Sequence, residues 1–95
     1  MNYKLLQIKD WKHNPYIFRD FDTAQKNNFS LDDYEVVYEG EVEGKDVETM
    51  LEKLFTLFNV FYPEDFEGRS MSVSDVVKLD GKYYYTDDIG FKEIK

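Results

Sequence analysis

Residues 72–91 read SVSDVVKLDGKYYYTDDIGF, and this stretch decides the fold. Asp80-Gly81 is the favoured pair for a two-residue type I′ turn, because both central positions need positive φ. The runs VVKL and KYYYT on either side then form a hairpin. Its register sets Leu79 opposite Lys82, Lys78 opposite Tyr83, Val77 opposite Tyr84 and Val76 opposite Tyr85. Tyr84 shares a face with Val77 and Leu79, while Tyr83 and Tyr85 share the other face with Val76. Val77, Leu79 and Tyr84 are expected to lie under a helix, leaving Tyr83 and Tyr85 partly exposed. Upstream, Ser72 to Asp75 has the spacing of a one-turn cap, with Ser72 bonding toward Asp75. Downstream, the chain turns at Asp87-Asp88. A last short strand is expected to carry Ile89, Phe91 and Ile94, with Gly90 at a bulge.

The covering helix is read from KDVETMLEKLFTLFNVF, residues 45–61. Val47, Met50, Leu51, Leu54, Phe55 and Phe58 fall at helical spacing and make one apolar stripe. Asp46 is placed to cap the N-terminus, and Glu48 lies near its positive end. Asn59 can end the helix, and Pro63 prevents its return. A stripe of Met, Leu and Phe at this period is core rather than a ligand box. Burial contributes about 1.5–3 kcal/mol for each large apolar side chain.

The N-terminal half adds less regular elements. YKLLQIK, residues 3–9, suits a first strand. Pro15 stands at a plausible first helical position behind Asn14, which predicts a short helix from about Pro15 to Ala24. YEVVYEGEVE, residues 34–43, alternates as a strand, with Tyr34, Val36 and Tyr38 on its buried face. Glu39, Glu41 and Glu43 share the outward face, and Gly40 marks a bulge or bend. The expected order is β-α-β-α-β-β-β: an α+β domain with a mainly antiparallel sheet of about five short strands. One long amphipathic helix, Met50–Phe58 at its centre, covers that sheet. Residues 1–95 read as a single domain.

Composition narrows the function. The chain has 20 acidic and 12 basic residues, for a formal net charge of -8, and no cysteine. Such a surface repels phosphate backbones and anionic lipid, so direct nucleic-acid or membrane binding is not expected. Disulfides and cysteine-based metal sites are excluded. No apolar h-region or membrane-length run is present, and the cytoplasm is the expected compartment. The aromatic content is 18%, too high for a disordered acidic tail.

Chemistry-bearing motifs are sparse. His13 is the single histidine, with no nucleophile or orienting carboxylate that the sequence nominates. The pair Asp20 and Asp22 resembles the opening of a calcium loop, but the glycine and glutamate such a loop requires are missing. No glycine-rich loop leads into a helix with a lysine. Neither catalysis nor a cofactor is expected. Two features remain. One is the acidic surface of Glu39, Glu41 and Glu43, joined by Glu64, Asp65 and Glu67 after the long helix. The other is the hairpin with Tyr83 and Tyr85, next to Asp87 and Asp88. Tyrosine beside carboxylates can grip a basic protein, because carboxylates accept bidentate arginine bonds and tyrosine adds contact area at low entropic cost. The bland alternative is that these groups only cover the sheet and solubilise it.

Three stretches carry a family resemblance: NNFSLDDYEVVYEGEV (27–42), LEKLFTLFN (51–59) and YPEDFEGRSMSVSDVVKLDGKYYYTDDIGFKEI (62–94). Together they resemble the YodL-like family of small bacterial domains. The matching pieces are Tyr38-Glu39-Gly40, Phe58-Asn59, Pro63 to Phe66, Gly68 to Val77, and Tyr85 to Phe91. Within them Gly68 and Gly90 suit turns, Ser72 and Asp75 caps, and Phe66 and Phe91 packing. The resemblance implies no catalytic residues. It implies a setting on plasmids and conjugative elements of Gram-positive bacteria, where small acidic proteins block host machines. The expectation is a non-enzymatic inhibitor of the anti-CRISPR kind. It would bind a basic bacterial protein, a Cas9-type nuclease or its guide-RNA complex, on its nucleic-acid channel. The alternative is an accessory interaction domain that regulates another host protein, a cytoskeletal or conjugation component, through the tyrosine hairpin. A small hydrolase using His13 is the third reading.

Overall fold

The computed structural model describes residues 1–94. Five strands form one sheet: β1 (Asn2–Ile8), β2 (Tyr34–Glu41), β3 (Val76–Leu79), β4 (Lys82–Thr86) and β5 (Phe91–Ile94). Two α-helices, α1 (Phe21–Lys26) and α2 (Val47–Val60), and a 3-10 turn at Leu31–Asp33 complete the chain. Strand order is β2-β1-β3-β4-β5, and every neighbouring pair is antiparallel. The architecture is α+β, with the expected order of elements. No helix of the described residues is long and apolar enough to cross a membrane.

The β3–β4 hairpin has the register its turn dictates, from Val76 opposite Tyr85 to Leu79 opposite Lys82. Asp80 and Gly81 take φ of 52° and 78°, the left-handed values a type I′ turn demands. Val77, Leu79 and Tyr84 are buried against α2, together with Tyr3 and Leu5 from β1 and Met50, Leu51, Leu54 and Phe58 from the helix. The helix starts where Asp46 accepts the Thr49 N–H at 2.8 Å, satisfying one of the unpaired first-turn donors. It runs one residue past Asn59, whose amide instead donates to the Phe55 and Met71 carbonyls. That side chain ties the helix end to the segment leading into β3.

A second core occupies the opposite face of the sheet, so one helix alone does not account for the cover. Leu6 and Ile8 of β1, Val76 of β3 and Tyr85 of β4 pack there with Tyr16, Phe21, Ala24 and Tyr34. The segment between β1 and β2 forms this second layer. Tyr85 is therefore fully buried rather than partly exposed, with its hydroxyl donating to the Arg19 carbonyl at 2.7 Å. Tyr83 is half-buried, as expected of that face.

Three local expectations are corrected. The first helix spans Phe21–Lys26, not Pro15–Ala24. Asn14 accepts the Tyr16 N–H as a cap would, but the turn it starts stops at Phe18, which has φ of 62°. The Phe18 N–H is taken by the Ser74 hydroxyl, and Asp20 caps the real helix by accepting from the Thr23 N–H. In β2 the irregularity falls opposite Leu5/Leu6 and inserts Val37, not Gly40. The bulge reverses the alternation, so Tyr34 joins the second core while Tyr38 packs on the first. Finally, Ile89 lies in the β4–β5 turn, almost wholly exposed, and the last strand begins at Phe91.

Phe58 is the hub of the first core, with its ring 4.8 Å from Phe66, 5.4 Å from Tyr38 and 6.2 Å from Tyr3. Phe58→Ala should cost about 3–5 kcal/mol in urea unfolding. Phe55→Ala, on the exposed flank of the same helix, should cost less than about 1.5 kcal/mol. Equal losses would show that α2 packs on another face.

Candidate interaction surface

The expected acidic surface separates into groups at opposite edges of the sheet. Glu39 and Glu41 lie on β2, one edge, and both are exposed. Glu39 lies 3.6 Å from the Lys4 ammonium, a surface pair worth little. Glu43 follows the strand, and its carbonyl accepts from Lys53. Asp87 and Asp88 lie in the β4–β5 turn at the far side of the sheet. There Asp87 accepts the N–H groups of Phe21 and Asp88, and Asp88 accepts that of Ile89. These two carboxylates close a turn and hold the start of α1, so they are partly spent on local structure.

Glu64, Asp65 and Glu67 form the third group, in the loop after α2, and all three are exposed. The structure brings this loop to β2: the Tyr38 hydroxyl donates to Asp65 at 3.0 Å, and that bond holds the phenol above its ordinary pKa. The 64–67 loop and the Glu39–Glu41 edge are therefore neighbours. Next to them the end of α2 exposes three consecutive apolar residues. Val60, Phe61 and Tyr62 are 61%, 71% and 57% exposed. The Tyr62 ring lies 6.2 Å from Phe66, which packs on Phe58, so this outer aromatic is continuous with the core. The sequence signal for the patch was the run Val60-Phe61-Tyr62 beyond the last stripe residue, Phe58, with no helical partner to bury it. Tyr83 and Tyr85 do not form a comparable surface: Tyr85 is buried, and Tyr83 has the Lys78 ammonium 5.4 Å from its ring centre.

A buried polar knot holds the loop in place. Gln7, on β1, is the one polar residue of that strand's buried half. Its amide nitrogen donates to the Arg69 carbonyl at 2.7 Å and to Asp75 Oδ2 at 3.0 Å. Its amide oxygen accepts the Arg69 N–H at 3.0 Å. Gly68 is needed here, because a Cβ would come within 2.7 Å of Gln7 Oε1 and 2.8 Å of the Phe66 ring. The Ser72–Asp75 turn forms, with the Ser72 N–H donating to Asp75 Oδ2 and the Asp75 N–H donating to the Ser72 carbonyl, while the Ser72 hydroxyl turns to the Ser70 carbonyl. No helix follows this turn, and the buried carboxylate takes a donor it requires from the Ser72 N–H. Asp75 Oδ1, Arg69 Nε and Nη2, and Thr86 Oγ1 are buried with no hydrogen-bond partner among the described residues.

Burial pushes the Asp75 carboxyl up to about 7, against the bonds from Ser72 and Gln7 and the charge of Arg69, which favour ionisation. A carboxyl raised on folding stabilises the fold fully below its unfolded pKa of about 4. That contribution is lost as pH rises toward about 7. The chain should therefore lose stability between about pH 4 and pH 7 in urea titrations, and Asp75→Asn should flatten that slope. An unchanged slope would show that Asp75 stays ionised throughout.

His13 is exposed, with Nδ1 2.9 Å from Asp10 Oδ1, and among the described residues no nucleophile is hydrogen-bonded to it. No group of three or more His, Asp or Glu side chains among the described residues could hold a metal ion.

The sequence profile of the YodL-like domain matches residues 2–95. Among relatives, the chain is 41% identical over 58 residues to "Uncharacterized protein YodL" of Bacillus subtilis (strain 168). That match covers 55% of this chain and 56% of the relative, so the chain spans about half the length of the relative it matches. No solved structure matches it. With the profile running through both sheet edges, both helices and the Gly68–Asp75 knot, the chain belongs to the YodL-like family.

Proposed function

We propose that this protein is a non-enzymatic binding protein that docks a cationic protein surface onto the end of α2 and the loop that follows it. One observation carries the reading: exposed Phe61 and Tyr62 stand beside Glu64, Asp65 and Glu67, which have no ion-pair partner among the described residues. Single exposed apolar residues are ordinary, but consecutive exposed apolar residues flanked by a run of carboxylates have the anatomy of an interface. The aromatics supply buried area, and the carboxylates supply arginine acceptors and steering. The net charge of -8 draws a basic partner and rejects free nucleic acid. A Cas9-type nuclease, whose guide and target channel is basic, is the first partner to test, and inhibition would follow from occupying that channel.

The test uses purified nuclease loaded with guide RNA. The protein in excess should slow DNA cleavage and bind the complex with an affinity that falls as salt rises. Phe61→Ser with Tyr62→Ser should weaken binding at least about tenfold. Reversing Glu64, Asp65 and Glu67 to lysine should remove most of the salt dependence. Unchanged cleavage with no detectable complex overturns the nuclease reading. Binding that survives both sets of substitutions overturns the surface.

A further inference from the structure

The β2 edge has a property that the loop and its aromatics do not explain. Among the described residues β2 pairs with β1 on one side and with no other strand. It is eight residues long, Tyr34–Glu41, twice the length of β5 at the other edge. Edge strands present unpaired backbone N–H and C=O groups, and proteins usually blunt them with short length, proline, charged side chains, bulges or a covering element. β2 contains neither proline nor lysine. Its irregularities are the bulge at Val37 and the exposed side chains Glu35, Val36, Glu39 and Glu41.

Those glutamates discriminate between occupants. A second copy pairing β2 with β2 would set rows of glutamate against each other, and like charges across a strand pair are destabilising. An extended segment with lysine or arginine at alternate positions meets the opposite case. On one face of the sheet its side chains would lie over Glu39 and Glu41. On the other face they would meet the Tyr38 ring and the carboxylate of Asp65, which Tyr38 holds at 3.0 Å. The Lys4 pairing of Glu39, at 3.6 Å on an exposed face, is weak enough to exchange.

We propose that the β2 edge receives an extended basic segment of the partner by strand addition, with main-chain bonds giving affinity and Glu39 and Glu41 selecting its charge. This rests on the reading that the partner is cationic, and it adds the mode of engagement and the chemistry recognised.

The experiment takes the full chain and a short acetylated, amidated peptide of alternating lysine and valine, at low salt. A control peptide replaces valine by proline, keeping the charge while removing the strand. Binding should slow amide exchange across Tyr34–Glu41. The proline peptide should bind at least about tenfold more weakly, since each proline removes a main-chain donor and its fixed φ disfavours a regular paired strand. Glu39→Gln with Glu41→Gln should weaken the valine peptide at least about tenfold. Equal binding of the two peptides overturns the proposal, as does the absence of protection in β2 at saturating peptide. Protection confined to Val60–Glu67 would overturn strand addition while leaving the docking surface intact.

Discussion

β1 is the strand on which the rest of the structure depends. It lies between β2 and β3, so both of its edges are paired, and with a core on each face of the sheet its seven residues must serve two cores at once. Leu5 points into the α2 core, and Leu6 and Ile8 point into the other. A central strand of this kind leaves little place for a polar side chain unless its groups are satisfied. Gln7 meets that condition by donating twice and accepting once, with all three bonds going to Arg69 and Asp75. The residue that would otherwise weaken the strand is the one that fastens the Gly68–Asp75 segment to it.

That fastening links the interior to the exterior. Between the end of α2 and β3 the chain has no regular structure. Its path is set by Asn59 reaching the Met71 carbonyl, by Phe66 packing on Phe58, and by Gln7 holding Arg69. Because both ends are held, Phe61 and Tyr62 project outward and Asp65 is brought to Tyr38. Carboxylates that would repel one another on a free loop are held beside an edge strand that already carries glutamates. The fold thus concentrates negative charge at one edge of the sheet, while Asp87 and Asp88 at the other edge are used to close a turn and start α1.

Much of the fold was legible in the sequence, because local signals and tertiary packing agreed. The Asp80-Gly81 turn fixed the hairpin register, and the apolar stripe with its Asp46 cap marked α2 to within a residue or two. What escaped was tertiary. Nothing local says that residues 15–31 fold back over the sheet, yet that layer is what buries Tyr85. The Asn14-Pro15 start signal was real, but the Phe18 N–H goes to Ser74, fifty-six residues away. A bulge at Val37 reversed the faces of β2, and no proline or glycine marked it. The candidate site was read in part: Glu64, Asp65 and Glu67 were picked out for charge, whereas Phe61 and Tyr62 were given no role. Asp75 was read as part of a cap, because its burial and its bond to Gln7 depend on a contact sixty-eight residues long.

Gln7 positions the segment carrying the exposed surface. Native-state hydrogen exchange of Gln7→Leu tests this directly, since local opening and global unfolding separate by residue. Exchange should accelerate by at least about tenfold from Phe61 to Asp75, while β3 and β4 keep their protection. Acceleration spread evenly over the chain, or none in that segment, would contradict it.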